Sequence, residues 1–490
     1  MNDDRPGFAG GVLRPRLSLL DAGAVEYVHE QTLRLLAEVG VRVPLARAQA
    51  LLRDAGALVD DETQVVRFPA DLVESAVARA PKTVLLAARD PAKDALLDHS
   101  RPFASHDGMG AMCLDHRSGE RRPSTRQDLL EAMTVADALD EVGVLWYTAY
   151  PCDEPPALQA LRGLQTMLTG SAKHVEGEVT DPADVPYVMD MLAAANPGGV
   201  WDRERPTFSI VYCPVSPLQH DADSLEAAML LAGQGVPITV YSLALAGATA
   251  PITLAGTVVQ TNAEVLATFV ILQLAAPGCP LVYVGNAGIM DMRTSTYATA
   301  GPEEILLNLA LTEMGRSYGF AVLSCGLSSD AKEFCVQVGA DGAPMALATM
   351  LAGADILTGA GMLDSAQLLY LPKLVLDAEV VRQGHRLLAG LALDDGHVML
   401  DVIGRAGPGG HFLAARETRA FLRTGELLMP RAFVRGSYDA WAAENRSELQ
   451  RATDTVEEIL ATHTPAPLPD GATERFEEIV AGAASERAAV

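Results

Sequence analysis

Leu281-Val282-Tyr283-Val284-Gly285-Asn286-Ala287-Gly288 is a short apolar run that ends in glycine and a polar amide. Seven more runs share its character. They begin at Phe103-Ala104-Ser105, Val144-Leu145-Trp146, His174-Val175, Phe208-Ser209-Ile210-Val211, Ile238-Thr239-Val240, Val322-Leu323-Ser324 and Ile356-Leu357-Thr358. Helix-like sequence follows each, and the later units recur every 30–40 residues or so, about the span of a strand–helix–strand unit. Continuous apolar runs are what parallel strands buried on both faces need. Eight such units predict an α/β protein with a closed (β/α)8 TIM barrel over residues 101–365. Chemistry in such barrels sits where strands end and loops begin. The residues just past each run are therefore the functional candidates.

Outward from the barrel, residues 1–100 read as an α-rich extension. Helical spacing runs from Tyr27 to Val39, from Ala46 to Ala55 and from Ala70 to Arg79, with Gly40, Gly56 and Pro81 as stops. Met112 to Asp115 and Gly119 to Arg122 read as a hairpin, after which Ser124 caps a helix from Arg126 to Leu139. Residues 366–490 read as a C-terminal helical extension packed on the barrel, with helices over Leu371 to Leu388 and near Leu449 to Ala461.

The chain has 490 residues, 49% of them hydrophobic, and a formal net charge of -26. No basic stripe for nucleic acid appears in the sequence, and the charge disfavours an anionic membrane surface. Six cysteines are scattered with no C-x-x-C spacing, and no secretory signal opens the chain, which predicts reduced thiols in a cytoplasm. The most hydrophobic stretch, Val265 to Val284, is broken by Gln273 and by Pro277-Gly278-Cys279-Pro280. It reads as a buried helix feeding a buried strand, not a membrane span. A helix apolar all round, such as Val265 to Ala276, also predicts packing against another subunit in a homo-oligomer.

The strand ends supply the site candidates. The first strand ends in Ser105-His106-Asp107-Gly108-Met109-Gly110, where His106 and Asp107 could hold or move a proton, or form a surface pair in a turn. The second delivers Tyr147 and Tyr150, aromatic faces for a cation or ordinary packing. The third carries His174, Glu176 and Glu178 on one face by alternation. If that face is inward, two buried carboxylates need a metal, a cation or each other's proton; the other possibility is that they face solvent. The fourth and fifth strands end at Tyr212 and Tyr241. The sixth leads to Asn286, Asp291 and Arg293, the seventh to Ser328-Ser329-Asp330-Ala331-Lys332, and the eighth to Met362-Leu363-Asp364-Ser365.

Familiar motifs are missing. There is no Walker A sequence, H-E-x-x-H, G-x-S-x-G, or strand-terminal G-x-G-x-x-G. Asp395-x-His397 approaches the corrinoid-binding Asp-x-His-x-x-Gly pattern, but position 400 is leucine. Cys113 and His116 are too few to predict a metal centre.

Motifs in order along nearly the whole chain carry a resemblance. They include Glu38-Val39-Gly40-Val41-Arg42-Val43, Ala80-Pro81-Lys82, Gly119-Glu120-Arg121-Arg122-Pro123, and Ala246-Gly247-Ala248-Thr249-Ala250-Pro251-Ile252-Thr253-Leu254-Ala255-Gly256. Asn262-Ala263-Glu264-Val265-Leu266-Ala267, Ser329-Asp330-Ala331-Lys332, Gly359-Ala360-Gly361-Met362-Leu363-Asp364-Ser365 and Gly407-Pro408-Gly409-Gly410-His411-Phe412-Leu413 continue it. The chain resembles the trimethylamine methyltransferase family, in particular its members without pyrrolysine. The resemblance implies a methyltransferase that moves a methyl group from a methylated amine, such as the quaternary amine glycine betaine, to cobalamin. That corrinoid would be presented by a small partner protein, none being tightly bound to this chain. Trimethylamine enzymes project pyrrolysine into the barrel, whereas residues 328–337 here are all standard. A quaternary nitrogen already carries the charge that lets it leave, so it fits that loss. On this basis His106, Asp107, Glu176 and Asp330 are the catalytic candidates. The substrate-binding candidates are Tyr147, Tyr150, Glu178, Tyr212, Tyr241, Asn286, Arg293, Ser328, Met362 and His411. Of these, Asn286, Arg293 and His411 are expected donors to a betaine carboxylate. Other onium donors, a folate acceptor, a zinc-dependent variant using His174, Glu176 or Glu178, and a non-catalytic amine-binding protein are the alternatives.

Overall fold

Eight parallel strands close on themselves at the centre of the chain, each on one of the apolar runs. They are β1 (Phe103–Ser105), β2 (Val142–Trp146), β3 (His174–Gly177), β4 (Phe208–Tyr212), β5 (Ile238–Val240), β6 (Leu281–Val284), β7 (Val322–Cys325) and β8 (Ile356–Thr358). β8 pairs with β1 through Ile356–Phe103 and Leu357–Ala104, which shuts the ring. The computed structural model describes residues 11–108 and 110–488. Met109 of the first-strand loop, residues 1–10 and residues 489–490 lie outside the described residues.

The outer helices are α1 (Arg126–Ala138), α2 (Gln159–Gly170), α3 (Val185–Ala195), α4 (Ala222–Gly233), α5 (Leu254–Ala275), α6 (Pro302–Ser317), α7 (Val336–Ala352) and α8 (Leu371–Ala389). α8 packs on α7, α1 and β1, so it is the eighth helix of the ring although it follows residue 365. Thr125, not Ser124, caps α1. Its hydroxyl and the Asp128 carboxylate exchange hydrogen bonds with each other's backbone N–H. The Ser124 hydroxyl lies one residue too early, and donates instead to the carbonyls of Gly110 (3.0 Å) and Tyr150 (2.7 Å). That ties the first strand-end loop to the second.

α5 is long and apolar enough to cross a membrane, but 83% of its most apolar window is buried in the protein. Helices Ala22–Glu38, Ala46–Asp54 and Ala70–Arg79 lie over it. The apolar surface that predicted a second subunit is thus covered by the chain's own N-terminal extension. Asn262 pins this contact, donating to Thr32 and Tyr318 while accepting from Tyr283, all at 2.9 Å. All six cysteines are free thiols.

The opposite end of the chain divides. Leu391–Leu393 follows the C-terminal end of α8, at the N-terminal face of the strands, and pairs with Gly11–Leu13. Short helices over 395–444 extend from that same end. Glu448–Thr462 then packs on α8 and α1, and Ala472–Ala488 on α3.

Candidate active site

The hydrogen bonds of Glu176 fix which way the strands face. Its carboxylate accepts the Ser209 hydroxyl at 3.0 Å and the Thr239 hydroxyl at 2.5 Å. These residues lie on β3, β4 and β5, so all three share the lumen. Alternation then carries Glu178, Cys213 and Tyr241 inward above them. Register continues the pattern: Thr239 is level with Val282, and Val284 with Leu323, so Asn286 and Cys325 also turn in. His174 lies one step below Glu176. Its Nε2 meets Ser209 at 2.9 Å and its Nδ1 meets the Ala87 carbonyl at 3.0 Å. Burial pushes the imidazole down to about 4, so it is neutral with its proton on Nδ1, and the single Ser209 proton serves either Nε2 or Glu176. Among the described residues no three His, Cys, Asp or Glu side chains gather as a metal site.

Above this floor stands a ring of acids and aromatics. Asp107 accepts the Ser328 hydroxyl at 3.1 Å, and Ser328 in turn contacts the Cys325 thiol at 3.1 Å. Trp146 and Tyr241 tilt against each other with ring centroids 5.7 Å apart. Asn286 donates to the Tyr241 hydroxyl at 2.6 Å. Met362 closes the wall, its sulfur accepting the Thr148 hydroxyl at 3.0 Å. Among the buried atoms that find no hydrogen-bond partner are Glu176 Oε2, Trp146 Nε1, Asn286 Oδ1 and the Ser105 and Thr358 hydroxyls. A lumen that leaves such atoms bare is arranged for a polar or charged guest.

Burial sets the charge state of these acids. It pushes Glu176 up to about 7 against the opposing bonds from Thr239 and Ser209. It does the same to Glu178, helped by Glu176 and Asp107 and opposed by the nearby Trp146 indole N–H. Glu304, in the first turn of α6, is fully buried and also raised to about 7 by burial. It accepts the hydroxyls of Tyr297 (2.8 Å) and Thr299 (2.9 Å). Asp107 is raised by burial too, against the Gly108 N–H, the Ser328 hydroxyl and the Lys373 charge.

Asp107, Glu176, Glu178, Tyr241, Asn286 and Ser328 therefore meet in the lumen, with Met362 in its wall. The other candidates lie elsewhere. Alternation separates His106 from Asp107: the imidazole is buried, makes no hydrogen bond, and is pushed down to about 3 by burial and by Lys173, a cation outside the barrel wall. Tyr147 and Tyr212 follow inward residues and so point outward. Tyr147 donates to the Gln159 carbonyl at 3.0 Å, and the Tyr212 hydroxyl meets His220 at 2.6 Å. Tyr150 tilts against Tyr147, ring centroids 5.7 Å apart, in a recess beside Glu178. Arg293 sits at a hairpin tip, 89% exposed and paired with Asp291 at 2.8 Å. Asp330 belongs to a rim network with Lys332 and Ser365. His411 is exposed on the segment beyond α8, at the other end of the barrel. Asp395 and His397 lie on that segment as well, where His397 meets Asp394 at 2.8 Å.

Trp146, Cys213 and Glu304 belong to the site without having been singled out in the sequence. The alternation that groups His174 with Glu176 and Glu178 also puts Trp146 opposite in facing to Tyr147. Glu304 resembles any acidic residue in a helix's first turn and carries no such signal.

Comparison with known proteins bears on the family and the fold. Residues 11–487 match the sequence profile of trimethylamine methyltransferase (MTTB). The chain is 31% identical over 454 residues to the trimethylamine methyltransferase MttB of Desulfitobacterium hafniense, covering 92% of this chain and 91% of that one. It is 29% identical over 460 residues to the glycine betaine methyltransferase of the same species, covering 94% and 95%. The monomethylamine methyltransferase of Methanosarcina barkeri shares the fold, with a TM-score of 0.53 at 12% identity over 96% of this chain and 88% of that one.

Proposed function

The chain belongs to the trimethylamine methyltransferase family, and we propose that it takes a methyl group from a quaternary ammonium and delivers it to a corrinoid carried by a separate small protein. One observation carries the choice of substrate: Asp107, Glu176, Glu178 and Glu304 surround a lumen walled by Trp146 and Tyr241, and no lysine or arginine faces them among the described residues. Buried acids held near neutrality gain from a permanent cation, which restores their charge and pairs it. The aromatic faces add attraction for an onium group.

The corrinoid supplies a cobalt nucleophile that accepts the methyl. The chain's own residues do the rest. Glu178 and Asp107 hold the cation, Trp146 and Tyr241 orient it, and the closed floor at Glu176, Ser209 and His174 keeps water from entering below. The C–N bond breaks with its electron pair left on nitrogen, so a neutral tertiary amine departs and no proton needs to be donated. A neutral tertiary amine as substrate would need a separate activating group, and residues 328–337 are all standard.

The rim suits a docking carrier. Val215, Leu243, Ile252, Met292 and Val336 are exposed apolar residues on the strand-end loops and at the start of α7. Ile252 and Met292 sit together beside Gly247. Such a crown favours a broad, partly apolar surface above the lumen. Exposed apolar residues on the 391–441 segment, among them Leu400, Leu413 and Met429, support self-association. Six free thiols favour a reducing cytoplasm. The test is anaerobic incubation with quaternary amines and cob(I)alamin. Methylcobalamin and demethylated amine should form in equal amounts; tight amine binding with no methyl transfer to any acceptor would refute the enzyme.

A further inference from the structure

The lumen is acidic, and the nearby positive charges are already taken. The eight strand-end loops carry five lysines and arginines. Arg117 pairs with Glu131 and Glu457. Arg121 and Lys332 converge on Asp364. Arg122 pairs with Asp115 and Asp128, and Arg293 with Asp291. Each pair sits on the rim or outside it. Lys373, a buried cation whose charge acts on Asp107, is engaged behind the wall, where it holds Asp377 at 2.6 Å and the Leu327 carbonyl at 2.7 Å. His174 and His106 are neutral and turned to other surroundings.

The inside of the lumen offers the opposite sign. Glu176 is fully buried with one oxygen unpartnered, and Asp107, Glu178 and Glu304 stand above it. The donors there are all uncharged, and the Ser105 and Thr358 hydroxyls are buried without a partner. The Ser328 hydroxyl is given to Asp107, and the Asn286 amide to Tyr241. The Trp146 indole N–H points toward Glu178. Above pH 7, where these acids ionise, a substrate carboxylate placed here would meet like charges and no counter-ion, a contact that low dielectric makes costly.

From this arrangement we infer that the substrate is a quaternary ammonium with a net positive charge, whose remaining arm is neutral, such as a hydroxyalkyl or alkyl trimethylammonium, and not a zwitterionic betaine. This rests on the quaternary-ammonium reading above and narrows it to a class. A neutral hydroxyl on the arm can donate to the bare Asn286 or Glu176 oxygens, which a carboxylate cannot do.

Choline, tetramethylammonium and glycine betaine, compared at pH 8, test it by two independent measurements: calorimetric binding to the full chain, and methyl transfer to cob(I)alamin. Choline and tetramethylammonium should bind tighter than glycine betaine by on the order of tenfold or more, and kcat/KM should follow the same order. Glycine betaine bound and demethylated as well as choline would overturn the inference and leave the enzyme reading standing. The cations bound preferentially with no methyl transferred would uphold the selectivity and overturn the enzyme reading. No binding of any of the three would overturn both.

Discussion

Replacing Glu178 with glutamine removes one charge from the lumen while keeping its shape. At an effective dielectric of about 20, an ammonium roughly 5 Å from a carboxylate gains ~3 kcal/mol. Partial solvent access at Glu178 reduces this to about 2 kcal/mol, or ~30-fold in KM. That figure applies at pH 8, where a carboxyl raised to about 7 is already ionised in the empty enzyme. At pH 6 the wild type holds the proton, its own KM rises about tenfold, and the gap to Glu178→Gln narrows to roughly threefold. The turnover number behaves differently. Positive charge drains from nitrogen as the methyl leaves, so the carboxylate stabilises the bound substrate more than the transition state. Its loss should therefore leave kcat within about threefold of wild type. The assay is steady-state methyl transfer from a quaternary amine at saturating cob(I)alamin, from pH 5.5 to 8.5. An unchanged KM with kcat reduced about a hundredfold would refute the reasoning, because it would make Glu178 a proton donor or acceptor.

Stability should fall as pH rises, the reverse of the usual carboxylate case. Glu176 and Glu304 have folded values of about 7 against an ordinary 4.5, so their contribution is fully present below about pH 4.5 and is lost as pH rises through 7. In melts of substrate-free protein, Tm should drop between pH 5.5 and 8, and a saturating quaternary cation should restore much of the loss. Gly359 has φ +101° and a Cβ there would lie 2.3 Å from the Ser328 backbone nitrogen. Gly359→Ala should cost about 1–3 kcal/mol in denaturant unfolding and displace Ser328 from Asp107. Thr239→Val removes a 2.5 Å bond to Glu176 and should cost about 1 kcal/mol, with KM for the cation rising at pH 7. Arg293→Ala and Asp330→Asn alter only the rim, and kcat/KM for the amine should stay within about twofold.

The barrel was legible because strands buried on both faces leave unbroken apolar runs, and all eight fall where those runs lie. Glu176 and Glu178 were legible as a same-face pair, but their inward direction became clear only from Ser209 and Thr239 on neighbouring strands. Residues next to each other in sequence were the harder case. His106 and Asp107 look like a pair, yet strand alternation sends them to opposite faces, and the same rule exchanges Tyr147 for Trp146. His411 and Arg293 have the right chemistry for a carboxylate. Their places depend on where the chain turns after α8 and on a local pairing with Asp291, neither of which a strand-end rule foretells. Glu304 joins the acids only because the loop after β6 folds its helix start back over the lumen, through Tyr297 and Thr299.

Calorimetry of tetramethylammonium binding at pH 6.5, repeated in buffers of different ionisation enthalpy, counts the protons that move on binding. Carboxyls held at about 7 in the empty lumen should ionise beside the cation, so binding should release about one proton or more per site. Binding with no proton released, or proton uptake, would show that the acids of the barrel do not hold the ammonium.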